Sequence, residues 1–207
     1  MTKTAHIIGN GDKVAMYKPA KGLKIACNIP PFPVNNIYTT CIVDFKMCRA
    51  IDEGSVIVNG DWTCGFRPKV YCENNPSFLI KFAQQIKEFY IELPKYAKVN
   101  SNETIGQAYT NFNCGHFASR YAAKKLGCDE IHMYGFDSLF DWNMRSYSDL
   151  VLNSDRGNTN NHRLIHNWRP VWLGIFNEFK DTQFVLYHSH NDIKIKVPKN
   201  VEIRTKN

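Results

Sequence analysis

The fold is decided near the amino terminus by the stretch Ala5-His6-Ile7-Ile8-Gly9-Asn10-Gly11. Its first four residues form a short apolar run that ends on turn residues, which is the pattern of a buried parallel strand. The two glycines that flank Asn10 predict a turn with left-handed backbone angles and exposed N–H groups. At the carboxyl end of a parallel strand, such a turn suits a nucleotide or another phosphate ligand. A tight turn without a ligand is the alternative that the same residues allow.

Strands and helices alternate along the rest of the chain. The patterns predict strands at 23–27, 37–44, 55–58, 130–134 and 183–187, and helices at 45–51, 76–93, 115–126 and from Pro170 onward. Residues 59–72 read as irregular, and 138–168 follow no clear period. This alternation is typical of an α/β, Rossmann-like fold with a mostly parallel sheet flanked by helices. We predict one domain over residues 1–207 that ends in a frayed basic tail at about 192–207.

The composition indicates a globular, reduced protein. Hydrophobic residues make up 43% of the 207, and no run approaches the roughly 20 apolar residues of a membrane helix. The first four residues lack the apolar core of a signal peptide, so we expect a cytoplasmic protein. The seven cysteines are odd in number and never spaced as Cys-x-x-Cys, which favours buried thiols over disulfides or a structural zinc site.

The chain is basic, with a formal net charge of +7. Such a balance suits a polyanionic partner or an anionic small substrate, although a solvated basic surface explains it equally. The sequence has no zinc finger, no RNA-binding aromatic signature and no basic helix leading into heptads. We therefore disfavour sequence-specific DNA binding, while DNA as a substrate stays open.

A second candidate anion site is the junction Asn113-Cys114-Gly115, directly before a predicted helix. The first N–H groups of a helix have no partner within it and carry a partial positive charge. Asn113 is equally suited to be only the N-cap of that helix. A helix N-terminus also lowers the pKa of a thiol, but no base accompanies Cys114, which argues against a nucleophile.

Two aspartates end predicted strands, Asp44 and Asp137. Carboxylates at strand ends bind ribose hydroxyls or metals, and they also cap the next element. Neither has an Asp-x-Asp pair nearby, so we disfavour a metal-dependent sugar-nucleotide site.

Two histidines, His162 and His166, precede Pro170. Either imidazole suits a general base because its ordinary pKa is close to neutrality. Their i,i+4 spacing would suit a metal on a helix, but no glutamate lies between them as in zinc proteases. Surface or capping histidines are the alternative interpretation.

Taken in chain order, these motifs resemble the small bacterial sialyltransferases and their phage and pterin-pyrophosphokinase-like relatives. Residues 7–11 resemble the family's first phosphate-side loop, and Cys27-Asn28 resembles its Arg-Cys-Asn strand end. The Asn-Cys-Gly junction, the helix after it and residues 130–137 are similar to the family's Thr-Ser-Gly, helix and Gly-Ile-Asp pattern. The resemblance spans most of the chain and depends on the order of short motifs. Asn113-Cys114 replaces Thr-Ser, Leu139 replaces a phosphate-side tyrosine, and the chain is shorter than typical members.

The resemblance implies a metal-independent glycosyltransferase with a CMP-sugar-like, nucleotide-activated donor and no cofactor. Donor-binding positions carried over from the family's motifs are Gly9, Asn10, Gly11, Asn28, Asn113, Cys114, Gly115 and Asp137. Tyr147 falls near a tyrosine that steadies the donor phosphate, and His162 or His166 falls near the catalytic histidine, the base for an acceptor hydroxyl. A phage enzyme of this kind would act in the host cytoplasm on a glycan or on DNA.

Two other functions fit the same motifs. One is pyrophosphate transfer from ATP to a pterin-like alcohol with Mg²⁺, and the other is nucleotide or nucleic-acid binding without chemistry. All three require the amino-terminal turn and the Asn-Cys-Gly junction to lie together in space and hold one mononucleotide.

Overall fold

The computed structural model describes residues 2–136, 161–188 and 196–205, with the backbone alone at 161–165. Within these ranges eight strands form one sheet in the order β5-β4-β3-β2-β1-β6-β7-β8, and every neighbouring pair is parallel. The strands are β1 Thr4–Ile8, β2 Leu23–Cys27, β3 Ile37–Ile42, β4 Trp62–Cys64, β5 Ile86–Phe89, β6 Glu130–Tyr134, β7 Gln183–Tyr187 and β8 Val201–Arg204. The protein therefore has the predicted α/β, Rossmann-like fold.

The strand order reverses at the centre of the sheet. From β1 the chain adds β2 to β5 on one side, and it then returns to place β6 on the other side of β1. The connections that follow β1 and β6 consequently leave the same edge in different directions. A crevice forms at such a switch point, outside the carboxyl ends of the strands, and it is where α/β proteins bind ligands.

Helices cover both faces of the sheet. The α-helices in the described ranges are α1 Phe45–Asp52, α2 Phe66–Asn74, α3 Pro76–Lys81, α4 Ile105–Asn111, α5 Cys114–Arg120 and α6 Asn161–Glu178. Helices α5 and α6 pack over the central strands in the largest apolar core, whereas α1, α2 and α3 cover the other face at β3 and β4. Helix α5 continues as a π-helical turn over Tyr121–Lys125, and Gly127 beyond it has a φ of +62°. The prediction of a helix here that ends at this glycine is confirmed.

The sequence interpretation was wrong between residues 55 and 93. Residues 55–58 are not a strand, and the neighbouring strand, β4, lies in the segment that had been read as irregular. All three residues of β4 are buried, so it lacks the alternation that marks a strand. The predicted helix 76–93 ends as α3 at Lys81, and Ile86–Phe89 forms β5 instead. The apolar residues there fit a helical period, but pairing with β4 decides the conformation.

Two further boundaries differ from the prediction. Helix α6 begins at Asn161 and contains Pro170 in its interior, rather than starting there. Val201–Arg204, assigned to a frayed tail, form β8 and pair with β7. None of the helices in the described ranges has the length and hydropathy that crossing a membrane requires.

Candidate functional site

The two segments predicted to hold a ligand meet on one aromatic ring at the switch point. A Cβ atom built on Gly9 would lie 3.1 Å from Cζ of Phe136, and one built on Gly115 would lie 2.8 Å from Cδ1 of the same ring. Phe136 lies two residues beyond the end of β6, and its ring bridges the β1 turn and the start of α5. The predicted proximity of the two segments is confirmed, and the mononucleotide stays a prediction.

The turn after β1 does not have the predicted left-handed backbone. Gly11 has a φ of −76°, and Gly9 is not among the residues with positive φ. The N–H groups of Gly9 and Gly11 donate to the carbonyl oxygens of Tyr134 and Gly135, at 2.8 and 2.9 Å. Glycine is needed for another reason, since a Cβ on Gly9 would lie 2.8 Å from both of those oxygens. These two N–H groups thus join β1 to β6 and are not exposed for a phosphate.

Unsatisfied polar atoms lie instead on two asparagine side chains. The Asn10 amide nitrogen donates to the carbonyl oxygen of Cys27, at the end of β2. The Oδ1 atoms of Asn10 and Asn28 are both buried and have no hydrogen-bond partner among the residues that the structure describes. Leaving a buried acceptor unpaired costs about 1–3 kcal/mol, so such atoms call for an external donor. They are the strongest indication of a ligand at this edge.

Asn28 also carries the left-handed conformation that had been expected at the glycines. Its φ is +56°, and its N–H donates to the carbonyl oxygen of Cys41 at 3.0 Å. Asparagine is one of the few residues other than glycine that adopt this region readily. The backbone therefore turns sharply at the end of β2 while its amide side chain stays buried.

The start of α5 is closed by a reciprocal cap. Asn113 Oδ1 accepts from the N–H of His116 at 3.1 Å, and His116 Nδ1 accepts from the N–H of Asn113 at 3.1 Å. The Asn113 side chain is thus the N-cap of the helix, as the alternative interpretation held. The N–H groups of Cys114 and Gly115, in the first turn, have no acceptor within the helix and are the candidates for an anion.

His116, which sequence reasoning did not single out, holds this junction against α6. Because its Nδ1 accepts a hydrogen bond, its proton resides on Nε2, which donates to the carbonyl oxygen of Trp168 at 3.1 Å. Burial lowers the pKa of His116 to about 3. The ring is therefore neutral near pH 7, and it positions the site rather than acting as a base.

Cys114 is not an activated nucleophile. Its thiol donates to the carbonyl oxygen of Cys41 at 3.1 Å. Burial and the neighbouring Cys27 thiol raise the pKa of Cys114 well above its ordinary value. All seven cysteines are free and buried, as the prediction of buried thiols requires. Cys114 can therefore reach a ligand through its backbone N–H, since its side chain is turned to β3.

Two indoles of α6 complete the described part of the site. Trp172 lies 3.2 Å from a Cβ built on Gly115, and its ring packs edge-on against Phe136 with centroids 5.5 Å apart. The Nε1–H groups of Trp168 and Trp172 are buried and have no acceptor in the described ranges. Their i,i+4 spacing places both on one face of α6. Two tryptophans at i,i+4 spacing are the signal in the sequence that could have indicated this part of the site.

Of the predicted catalytic side chains, His166 is the one that the structure describes, and it is not part of this cluster. His166 is exposed. It precedes Trp168 by two residues on α6 and therefore lies on the opposite face of the helix. The side chain of His162, and Asp137, Leu139 and Tyr147 as a whole, lie outside the described residues. The roles assigned to them stay predictions.

Asp44 has a structural partner. Its carboxylate accepts from Arg67 at 2.9 Å, and the same guanidinium donates to the carbonyl oxygen of Tyr109. Among the described residues no group of three or more His, Cys, Asp or Glu side chains is arranged to hold a metal.

Comparisons of the chain with protein-family models, with curated proteins and with solved structures find no match. What the chain does must therefore be argued from the site itself.

Proposed function

We propose that the chain is a metal-independent glycosyltransferase that binds a nucleotide-activated sugar at the carboxyl ends of β1, β2 and β6. The observation that carries the proposal is the pair of buried Oδ1 atoms of Asn10 and Asn28, which have no partner among the described residues and lie at the switch point of the sheet. A ribose, a base or a sugar offers the hydroxyl or amino donors that these acceptors lack.

The surroundings of the two asparagines support an anionic ligand. The backbone N–H groups of Cys114 and Gly115 lie at the start of α5, where the peptide dipoles favour negative charge. The net charge of +7 attracts such a donor from solution. The indole N–H groups of Trp168 and Trp172 add two donors for the polar atoms of a donor substrate.

The proposed reaction is a displacement at the sugar. The acceptor hydroxyl oxygen attacks the anomeric carbon, the bond from that carbon to the phosphate oxygen breaks, and the nucleotide leaves with the electron pair. A base takes the hydroxyl proton, which is the role proposed for His162, and Tyr147 hydrogen-bonds the departing phosphate. His166, the other histidine that the resemblance offered, is exposed on the face of α6 opposite Trp168 and faces away from the described part of the site.

A second candidate, a nucleotide-binding protein without catalysis, is favoured by one observation. The titratable side chains at the described junction are Cys114, whose thiol pKa is raised, and His116, whose pKa is lowered to about 3. Neither is a base near pH 7. Catalysis therefore requires a group such as the predicted histidines, whereas binding does not.

Nucleotide binding is tested with Asn28→Gly, because glycine keeps the left-handed backbone and removes only the amide. We expect CMP affinity, measured by calorimetry, to fall about tenfold, the equivalent of one good hydrogen bond. Asn36→Gly is the matched control, since Asn36 has the same φ of +56° but is exposed. Equal CMP affinity in the two variants would remove the basis of the proposal. Thermal shifts with ATP, with and without Mg²⁺, identify the pyrophosphokinase alternative.

Substitutions of the two histidines distinguish a transferase from a nucleotide-binding protein without catalysis. We expect His162→Ala to lower nucleotide release from a CMP-sugar at least 100-fold, the usual contribution of a general base, at unchanged CMP affinity. His166→Ala, on the opposite face of α6, is the matched control and should leave nucleotide release within twofold of the wild type. If the wild-type chain binds CMP but releases no nucleotide from any nucleotide sugar, it is a nucleotide-binding protein without catalysis.

A further inference from the structure

A cavity of about 400 Å³ lies over one face of β3, beside the end of β2, and adjoins the proposed nucleotide site through Asn28. One wall is the proline-rich segment 29–34, and the opposite wall is the connection 57–59 that leads into β4. Ile37 and Thr40 of β3 form its floor. We call it the proline groove. Its volume is within the range of small-molecule sites.

The groove exists because β2 and β3 are joined without a helix. The connection covers residues 28–36, too few for the usual crossover helix, so this part of the sheet face is left without a helical cover. Asn28 and Asn36, both at a φ of +56°, begin and end the connection. Pro30, Pro31 and Pro33 restrict the chain between them. The wall is thus preformed, and a ligand loses little affinity to ordering it.

The described residues that line the groove are all uncharged. Although 22% of the chain is charged, the residues that line the groove are aliphatic or proline side chains with Phe32 and the polar Asn28, Thr40 and Asn59. A phosphate, a carboxylate or a nucleic-acid backbone would find no cation among the described residues that line the groove. Asn28 is 5% exposed, its Oδ1 has no partner in the described ranges, and it lies where the groove reaches the carboxyl edge of the sheet.

We propose that the proline groove binds a neutral, largely apolar molecule that carries a hydroxyl group at the Asn28 end. Building on the proposed function, this molecule is the acceptor. When the molecule binds, its hydroxyl donates to Asn28 Oδ1, an amide oxygen that can accept a second hydrogen bond from the nucleotide. In the transfer the hydroxyl oxygen bonds to the anomeric carbon, and its proton passes from the hydrogen bond with Asn28 to the base of the proposed function. A nucleic acid or an acidic glycan is then not the acceptor.

Two probes of the same size test the chemistry of the groove. We expect 2-naphthylmethanol, which is neutral and carries a hydroxyl, to bind the full chain at least tenfold more tightly than the anion 2-naphthoate, by calorimetry. Equal affinity for the two, or tighter binding of 2-naphthoate, would overturn the inference.

The location is tested with two isoleucines of equal exposure. Ile57 lines the groove and is 79% exposed, whereas Ile80 on α3 is 77% exposed and is not among the lining residues. We expect Ile57→Lys to weaken 2-naphthylmethanol binding at least tenfold and to strengthen 2-naphthoate binding. Ile80→Lys should match the wild type within twofold. The same effect in both variants would place the probe elsewhere.

CMP titrated into the wild-type chain separates this inference from the proposed function. Selective alcohol binding without CMP binding supports the groove as a site and overturns its acceptor role together with the proposed function. CMP binding without alcohol binding overturns the groove alone. With a CMP-sugar that the chain uses, mass spectrometry should detect a naphthylmethyl glycoside. Its formation at an equal rate in Ile57→Lys would overturn the acceptor role.

Discussion

The turn after β1 and the turn after β2 occupy equivalent places at the carboxyl edge of the sheet but treat their polar atoms differently. After β1, the N–H groups of Gly9 and Gly11 both donate to the end of β6. After β2, the backbone of Asn28 bends into a left-handed conformation and its buried side-chain oxygen has no partner in the described part of the chain. The backbone of the first turn is thus a packed joint, and the backbone of the second is a left-handed bend, whereas each turn presents an unpartnered acceptor among the described residues only on its asparagine side chain.

This difference changes what a glycine-rich turn indicates. At the β1 turn, glycine is required because the backbones of two neighbouring strand ends approach within contact distance. At the β2 turn, an asparagine takes the left-handed angles that were expected of the glycines. The capacity to bind a ligand therefore follows the asparagine side chains and not the glycines.

The largest effect is expected from a substitution within the packed joint between the ends of β1 and β6. Gly135 has a φ of +77°, and a Cβ there would lie 2.8 Å from Cβ of Val14 and 3.0 Å from the backbone of Gly11. We expect Gly135→Ala to lower the free energy of unfolding by about 3 kcal/mol, from backbone strain and overpacking together. Chemical denaturation followed by tryptophan fluorescence measures the loss.

Gly54→Ala is the matched control for that substitution. Its φ of +75° is nearly the same, and a Cβ there would meet nothing within 4 Å. Gly54→Ala should therefore lower the free energy of unfolding by only about 1 kcal/mol, from backbone strain alone. Equal losses in the two variants would contradict the interpretation of the β1 and β6 ends as a packed joint.

Much of the sheet could be predicted from local patterns. β1, β2, β6 and β7 are short apolar runs between turn residues, and the predicted ranges of β2, β6 and β7 match the observed ones. β5 could not be recognised, because its apolar residues continue the helical spacing of α3 and only pairing with β4 makes it a strand. β8, four residues with charges among them, acquires its conformation from β7.

The site was predictable in its parts but not in its chemistry. The order of the motifs placed the β1 turn near the start of α5, and the ring of Phe136 joins them. Which polar atoms remain unpartnered there depends on tertiary contacts, such as the hydrogen bond from Asn10 to Cys27. For the same reason, the cap that ties His116 to Trp168 could not be read from the sequence.

A smaller effect is expected from His116, which holds the start of α5 in place near the two asparagines. The folded-state pKa of His116, about 3, lies below the ordinary 6.5 because the ring is buried. Protonation therefore favours the unfolded chain. The stabilisation from the neutral ring is complete above about pH 6.5 and is lost as the pH falls toward 3, at about 1.4 kcal/mol per unit.

His116→Gln isolates this contribution, because glutamine closes the same kind of helix cap but does not titrate. Between pH 7 and pH 5 we expect the wild type to lose about 2 kcal/mol more unfolding free energy than the variant. Carboxylates such as Glu92, whose pKa is lowered to about 2, lose their stabilisation at lower pH, and buried His6 is common to both proteins. Parallel pH profiles would mean that His116 takes up a proton as readily in the folded chain as in the unfolded one. A protonated ring cannot accept from Asn113, so below about pH 6.5 the cap at the start of α5 would then be open and the proposed anion-binding N–H groups would not be fixed in place.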